Sequence, residues 1–219
     1  MKNMFWVMAA AVIAFSACKK EDSDTNNQST ESIVIKGSGD IHDKIDAFRH
    51  LLGDQLNTTP GATGGRREVN WDGVPDSLVG KALPFDFFNP TGAGAPAARQ
   101  RGLAYAATGE FRVSNANFVE VNSQAAAQFS AFSGNKTFAN ISSNLWEVGF
   151  QVAGETTAAS AKGFGAVFSD VDLGNSTSLE FFNGQKSLGK FSFQLMTQLQ
   201  VFHFSEYILR IMKSLPGSG

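Results

Sequence analysis

The chain has 219 residues, with 18 basic and 20 acidic side chains and a net charge of −2. Residues 1–17 hold one lysine and no acid, so the remainder carries −3; its only dense basic pairs are Lys19-Lys20 and Arg66-Arg67. That excludes the concentrated basic face that nucleic-acid binding requires. Phenylalanine (20) and glycine (22) far outnumber tyrosine (2), and only 17% of residues are charged. This phenylalanine-packed, turn-rich balance favours sheet over helical bundle, and the length suits one domain of ordinary size.

Lys2 followed by the apolar run Met4–Phe15 reads as a signal peptide over residues 1–17. The run is too short to span a bilayer, which takes roughly 20 residues. Ser16 and Ala17 lead into Cys18, the single cysteine. Phe15-Ser16-Ala17-Cys18 resembles the bacterial lipobox, with Phe15 in the place leucine usually takes. The resemblance implies cleavage before Cys18 and acyl chains on that residue, so that the bilayer is a partner. More than one chain makes such a tether stable. The other reading is an ordinary cleaved signal with an incidental cysteine, but a lone cysteine in a secreted chain has no disulfide partner. Lys19-Lys20-Glu21-Asp22-Ser23-Asp24 is similar to the acidic export signal of Bacteroidota surface lipoproteins. That implies an outer-membrane, lipid-anchored protein facing the cell exterior. A plain polar linker is the alternative.

Residues 18–39 are polar and small and read as a flexible tether, with Ile33-Val34-Ile35 as a brief strand or sticky linker. Residues 40–60 read as a helix and loop. Ile41, Ile45, Phe48 and Leu52 share one helical face between Asp40, a natural N-cap, and Gly53, a natural stop. His42, Asp46 and His50 form a column on the opposite face. Its ends lie ~12 Å apart at 1.5 Å per residue, too far to chelate one ion, so the column reads as a solvated surface.

Residues 61–193 read as a jelly-roll-like β-sandwich, giving a mainly β protein preceded by one short N-terminal helix. The predicted strands are Phe85–Phe88, Leu103–Tyr105, Phe111–Val113, Phe118–Val121, Leu145–Val152, Gly163–Val171, Ser178–Phe182 and Leu188–Phe193. Gly, Asn and Pro punctuate them. Asn183-Gly184 between two apolar runs signals a hairpin, and many short strands so spaced indicate a sandwich or jelly roll.

Four segments resemble a widespread uncharacterised family of secreted bacterial domains. They are Gly65-Arg66-Arg67-Glu68-Val69-Asn70-Trp71-Asp72-Gly73-Val74-Pro75-Asp76, Leu83-Pro84-Phe85-Asp86-Phe87-Phe88-Asn89, Arg101-Gly102-Leu103, and Gly163 to Asp172. The likeness covers about residues 40–193 and implies no particular activity. The second half is also similar, more weakly, to galactose-binding-type jelly rolls. The uncharacterised secreted family usually closes with two further strands. Here residues 194–219 change character, with Met and Gln where Gly, Val and Asp are expected. The tail reads as divergent or as the product of a reading-frame shift near Gln194, with residues 199–213 a candidate helix.

Two clusters carry candidate chemistry. Asp170 and Asp172 project alike from a strand end and, with Asn175 and Asn183, are candidate calcium ligands, calcium taking six to eight oxygens. The alternative is a solvated Asx turn. Arg66, Arg67, Trp71, Asp72 and Asp76 are a candidate sugar-binding cluster, or else a buried tryptophan over an internal Arg–Asp network. The second fits better, because forked Arg–carboxylate bonds are strong chiefly when shielded. No nucleophile elbow, zincin motif or phosphate loop occurs. The function expected is therefore a surface-displayed binding or structural module, with glycan the ligand class suggested by fold analogy alone. A carboxylate-based glycan hydrolase drawing on Glu110, Glu120, Glu147 or Glu180 is the enzymatic alternative. A truncated, non-functional copy is the third.

Overall fold

The computed structural model describes residues 33–62, 64–105, 109–124, 126–171, 174–192, 198–203 and 208–213, the last two segments as backbone and register alone. All lie in the second of the chain's two units, Glu31–Gly219. Cys18, Asp172, and the signal peptide and most of the tether fall outside the described residues.

The chain is mainly β with one α-helix among the described residues. In order it forms β1 (Val34–Ser38), α1 (His42–Leu52), β2 (Leu103–Tyr105), β3 (Phe111–Ser114), β4 (Thr137–Asn140) and β5 (Leu145–Phe150). There follow β6 (Gly163–Val167), β7 (Thr177–Asn183), β8 (Lys186–Ser192), β9 (Gln198–His203) and β10 (Ile208–Lys213). They make three small sheets with orders β1-β9-β6, β2-β5-β10-β7-β8 and β3-β4. Every pairing is antiparallel.

Ile41 and Ile45 are buried and pack with Ile35, Phe48 and Val167, as the helical spacing requires. The helix begins one residue later than expected, with Ile41 rather than Asp40 at its cap position. Asp40 still serves its start, because its Oδ1 accepts from the His42 backbone N–H at 3.2 Å and contacts the His42 ring at 2.7 Å. Gly53 ends it at φ +115°, donating to the His50 carbonyl at 3.2 Å.

The stretch read as tether gives up its last residues to β1. The partner of Val34–Ser38 is β9, more than 150 residues away, and local composition cannot announce it. The described residues of the tail, Gln198–His203 and Ile208–Lys213, are strand, not helix. In β10, Leu209 pairs in register with Val148 and Phe181, Ile211 with Trp146 and Leu179, and Arg210 with Glu147 and Glu180. The one polar position of Ile208–Met212, Arg210, therefore falls beside the acidic position of the strand on either side. Helix spacing and strand alternation are hard to separate in so short an apolar run.

Two predicted strands are turns. In Phe85–Phe88 the amide of Phe87 returns to the Pro84 carbonyl at 3.0 Å, and that of Asn89 to Asp86 at 2.8 Å. A turn lets the consecutive Phe87 and Phe88 both bury, at 1% and 4% exposure, where a strand would turn one outward. Phe118–Val121 is a second turn, with Val121 donating to the Phe118 carbonyl at 3.0 Å and Val119 and Val121 exposed. The Asn183-Gly184 hairpin forms: Asn183 pairs with Lys186 around Gly184-Gln185, and φ is positive at Gly184. Positive φ at the first central residue alone is the type II′ pattern, whose twist suits a two-residue hairpin.

The main core joins Val74, Leu83, Phe87, Phe88, Tyr105, Phe111, Val113, Val148, Val171, Leu179 and Phe181. Fully burying one large apolar side chain contributes about 1.5–3 kcal/mol. Tyr105 stacks on Phe111 at 4.7 Å and Phe138 at 5.1 Å. Burial pushes its phenol well above the ordinary range. Among the described residues no helix is long and apolar enough to cross a membrane.

Candidate functional site

The residues singled out in Arg66–Asp76 divide into two groups that brace different parts of the chain. Residues 65–67 run beside 55–57: the Arg66 amide donates to the Gln55 carbonyl at 3.0 Å, and the Asn57 amide to the Arg66 carbonyl at 2.8 Å. The Arg66 guanidinium donates to Glu68 Oε1 at 2.7 Å, to the Gly53 carbonyl at 3.2 Å and to the Asp54 carbonyl. Arg67 donates to the carbonyls of Thr59 and Ala62, each at 3.0 Å, and of Asn57 at 3.5 Å. Asn57 turns the same loop from inside, donating to Ala62 and Gly64 carbonyls at 3.0 Å and accepting from the Thr59 amide at 3.1 Å.

Glu68 joins this group to the helix. Arg49 grips it with two parallel bonds, at 2.9 and 3.1 Å, while Arg66 bonds the same Oε1. Burial pushes the Glu68 carboxyl up, but the bonds and charges of Arg49 and Arg66 together outweigh it and hold the group below its ordinary range. Such forks fix geometry as well as energy.

Trp71, Asp72 and Asp76 belong to the other group. Asn70 caps the short 3-10 turn Trp71–Gly73 by accepting from the Asp72 amide at 2.9 Å. The turn lays Trp71 against Phe138, with ring centroids 4.3 Å apart and planes 11° from parallel, and edge-on to Phe88 at 5.3 Å. Asp72 Oδ1 accepts from the Asn135 amide at 3.0 Å. Gly134 makes that approach possible, because a Cβ there would stand 2.1 Å from the Asp72 carboxylate.

The anchor of this loop is Lys136, which the sequence reading did not single out. Its ammonium donates to the Val74 carbonyl at 2.7 Å, to Asp76 Oδ1 at 2.7 Å and to the Asp72 carbonyl at 3.5 Å. All three of its N–H groups are thereby used. The Lys136 side chain is 8% exposed and the Asp76 side chain 88%. The hydrogen bond and charge of Lys136 lower the Asp76 carboxyl below its ordinary range. Lys136 sits about 60 residues from its partners, and a single lysine before a strand gives no local signal of such a role.

A second unpredicted hub is Asn89, which is fully buried. Its amide group donates to Gln151 Oε1 at 2.9 Å, the Val152 carbonyl at 3.2 Å and the Glu155 carbonyl at 2.8 Å. Its Oδ1 accepts from the amides of Gly102 at 3.2 Å and Gly154 at 2.7 Å. The two turns that its segment and Gly102 belong to are thus locked to residues 151–155. A Cβ at Gly102, where φ is +71°, would stand 2.4 Å from the Gln151 carbonyl oxygen. The motif glycine after Arg101 is therefore a point of backbone-to-backbone approach.

Of the candidate calcium ligands, Asp170 and Asn175 both adopt left-handed backbone, at φ +60° and +66°. Asn183 lies at the exposed end of β7, and Asp172 is outside the described residues. No group of three His, Cys, Asp or Glu suited to a metal occurs among the described residues. His42, Asp46 and His50 each take a separate local partner, namely Asp40, Arg49 and Asp54. Glu110 pairs with Arg112, Glu120 accepts from Ser114 at 3.1 Å, and Glu180 accepts from Ser187 at 2.7 Å. A shallow hollow of ~170 Å³ lies on the 55–64 loop, lined by Gln55, Asn57 and Thr59 among others.

Comparison with protein-family models, with curated proteins and with solved structures gives no match.

Proposed function

We propose that this protein is a lipoprotein acylated on Cys18, displayed on the outer face of the outer membrane, whose domain acts as a binding or structural module. The observation that carries it is the sequence from Met4 to Asp24: an apolar run of signal length, small residues before the lone cysteine, and an acidic stretch after it. The domain's chemistry agrees. The residues that would present a sugar platform, Arg66, Arg67, Trp71, Asp72 and Asp76, are largely engaged in internal bonds or packing. Their weight falls on holding a scaffold rigid, which suits a displayed module better than a catalyst. In the finer reading the small antiparallel sheets are parts of a jelly-roll-like sandwich. Calcium is then held by Asp170, Asp172, Asn175 and Asn183, and a glycan is the ligand class.

Expression of the full chain beside its Cys18→Ser variant tests the anchor. The parent should take up an alkyne-labelled fatty acid, sediment with outer membrane and be shaved by external protease. The variant should lose the label and leave the membrane. Equal membrane retention of an unlabelled parent overturns the reading.

A further inference from the structure

The segments that carry Arg67 and Arg101 meet at residues 151–153. Arg67 spends three of its five N–H donors on the carbonyls of the 57–62 loop, which leaves two. Arg101 follows the short 3-10 turn Ala97–Arg99 and precedes Gly102, whose Cα lies against the Gln151 carbonyl. The loop that Arg67 braces reaches the same place, since the Gly61 amide donates to the Ala153 carbonyl at 3.2 Å. Arg101 Nη1 is shut off from solvent and has no hydrogen-bond partner. Among the described residues no acidic side chain bonds either guanidinium. Arg67 holds its proton less tightly than usual, through burial first and the charge of Arg101 second.

This arrangement is doubly unfavourable. Like charges repel in a poorly solvated place, and a buried N–H without an acceptor has given up its bond to water for nothing. Other cations in this half of the molecule are satisfied: Arg66 and Arg49 by Glu68, and Lys136 by Asp76 and two carbonyls. Buried unsatisfied polar groups call for a specific explanation, of which a ligand or ion is one. An oxyanion answers both deficits at once, and the planar fork of arginine matches carboxylate, sulfate and phosphate oxygens.

We propose that Arg67 and Arg101 form an oxyanion-binding site at the seam between the 57–62 loop and residues 151–153. The anionic group of an acidic sugar and a free inorganic anion share the required chemistry. Only the first of these sources rests on the glycan reading above.

The test uses the full chain in neutral detergent. Equilibrium dialysis with labelled sulfate should show one saturable site per chain. Thermal melts in sodium sulfate and in sodium chloride of equal ionic strength should differ by about 3 °C or more. Sulfate also stabilises proteins generally, so the decisive quantity is the increment lost in Arg101→Gln. That variant should retain only the general salt effect while melting no lower in chloride, because it removes an unpaired donor. Arg101→Lys, which keeps the charge without the fork, should retain part of the increment. Absence of saturable sulfate binding by the parent overturns the site whether or not the variants fold, as does a full increment in Arg101→Gln. A sulfated disaccharide that competes more tightly than inorganic sulfate, with its desulfated form inert, supports the site and identifies the glycan source. Equal competition by the two sulfated species supports the site and removes that source.

Discussion

Between Gly53 and Gly102 the described chain makes no strand, only short 3-10 turns and isolated bridges at Leu56–Arg66 and Leu83–Phe111. Between Leu145 and Ser192 it is mostly ladder. The first region is held by side chains reaching backbone: Asn57, Arg66, Arg67, Asn89 and Lys136 bond carbonyls or amides at fixed points. The second is held by strand pairing over the buried Val148, Leu179 and Phe181. In a ladder the cost of losing a side chain is chiefly a cavity. In the irregular region it is a set of buried backbone groups left without partners, and each such group costs about 1–3 kcal/mol.

This contrast orders the expected effects of mutation. Ending the chain at Ser192 removes β9 and β10, each paired on both sides. Such a chain should show no cooperative melt by circular dichroism. Phe181→Ala opens a cavity at a site with 0% exposure and should cost about 3–5 kcal/mol in urea unfolding. Asn89→Ala strands two amides and two carbonyls and should cost at least about 3 kcal/mol. An unchanged urea midpoint in Asn89→Ala would erase the distinction between the two regions. Lys136→Ala should cost about 1–3 kcal/mol, because it frees the Val74 carbonyl but leaves Asp76 in solvent. Asp76→Asn should cost less than that.

The smallest effect concerns pH. Glu68 and Asp76 are both held below their ordinary range in the fold. The stability they contribute is present above their unfolded values and is lost as pH falls through the lower folded ones. Stability should therefore decline on the acid side of the ordinary carboxylate range. Glu68→Gln should flatten that decline, measured as the urea midpoint against pH.

The same contrast explains what could be read in advance. The helix face of Ile41 and Ile45, the hairpin at Asn183-Gly184 and most of strands β5 to β8 follow from local periodicity and turn chemistry, and they appear where expected. Phe85–Phe88 and Phe118–Val121 carry the same aromatic and β-branched content, yet they turn. Pro84 and Asn89 in the first case, and Ser114 in the second, supply competing local bonds. Strands β1, β9 and β10 depend on partners far along the chain. In the candidate cluster, the internal network expected around Trp71 is present, but its cation is Lys136, not Arg66 or Arg67. The arginines instead brace the 53–62 loop. A contact across 60 residues leaves no mark on spacing, which is why both Lys136 and the Asn89 hub had to be seen in three dimensions.

Native-state hydrogen exchange on the full chain and its Lys136→Ala variant is the most direct test of the claim that side-chain anchors, independent of the ladder, hold the irregular region. Amides from Asp72 to Val79 should lose protection several-fold in the variant while those of β7 and β8 keep theirs. Equal loss across both regions, or none in either, would contradict it.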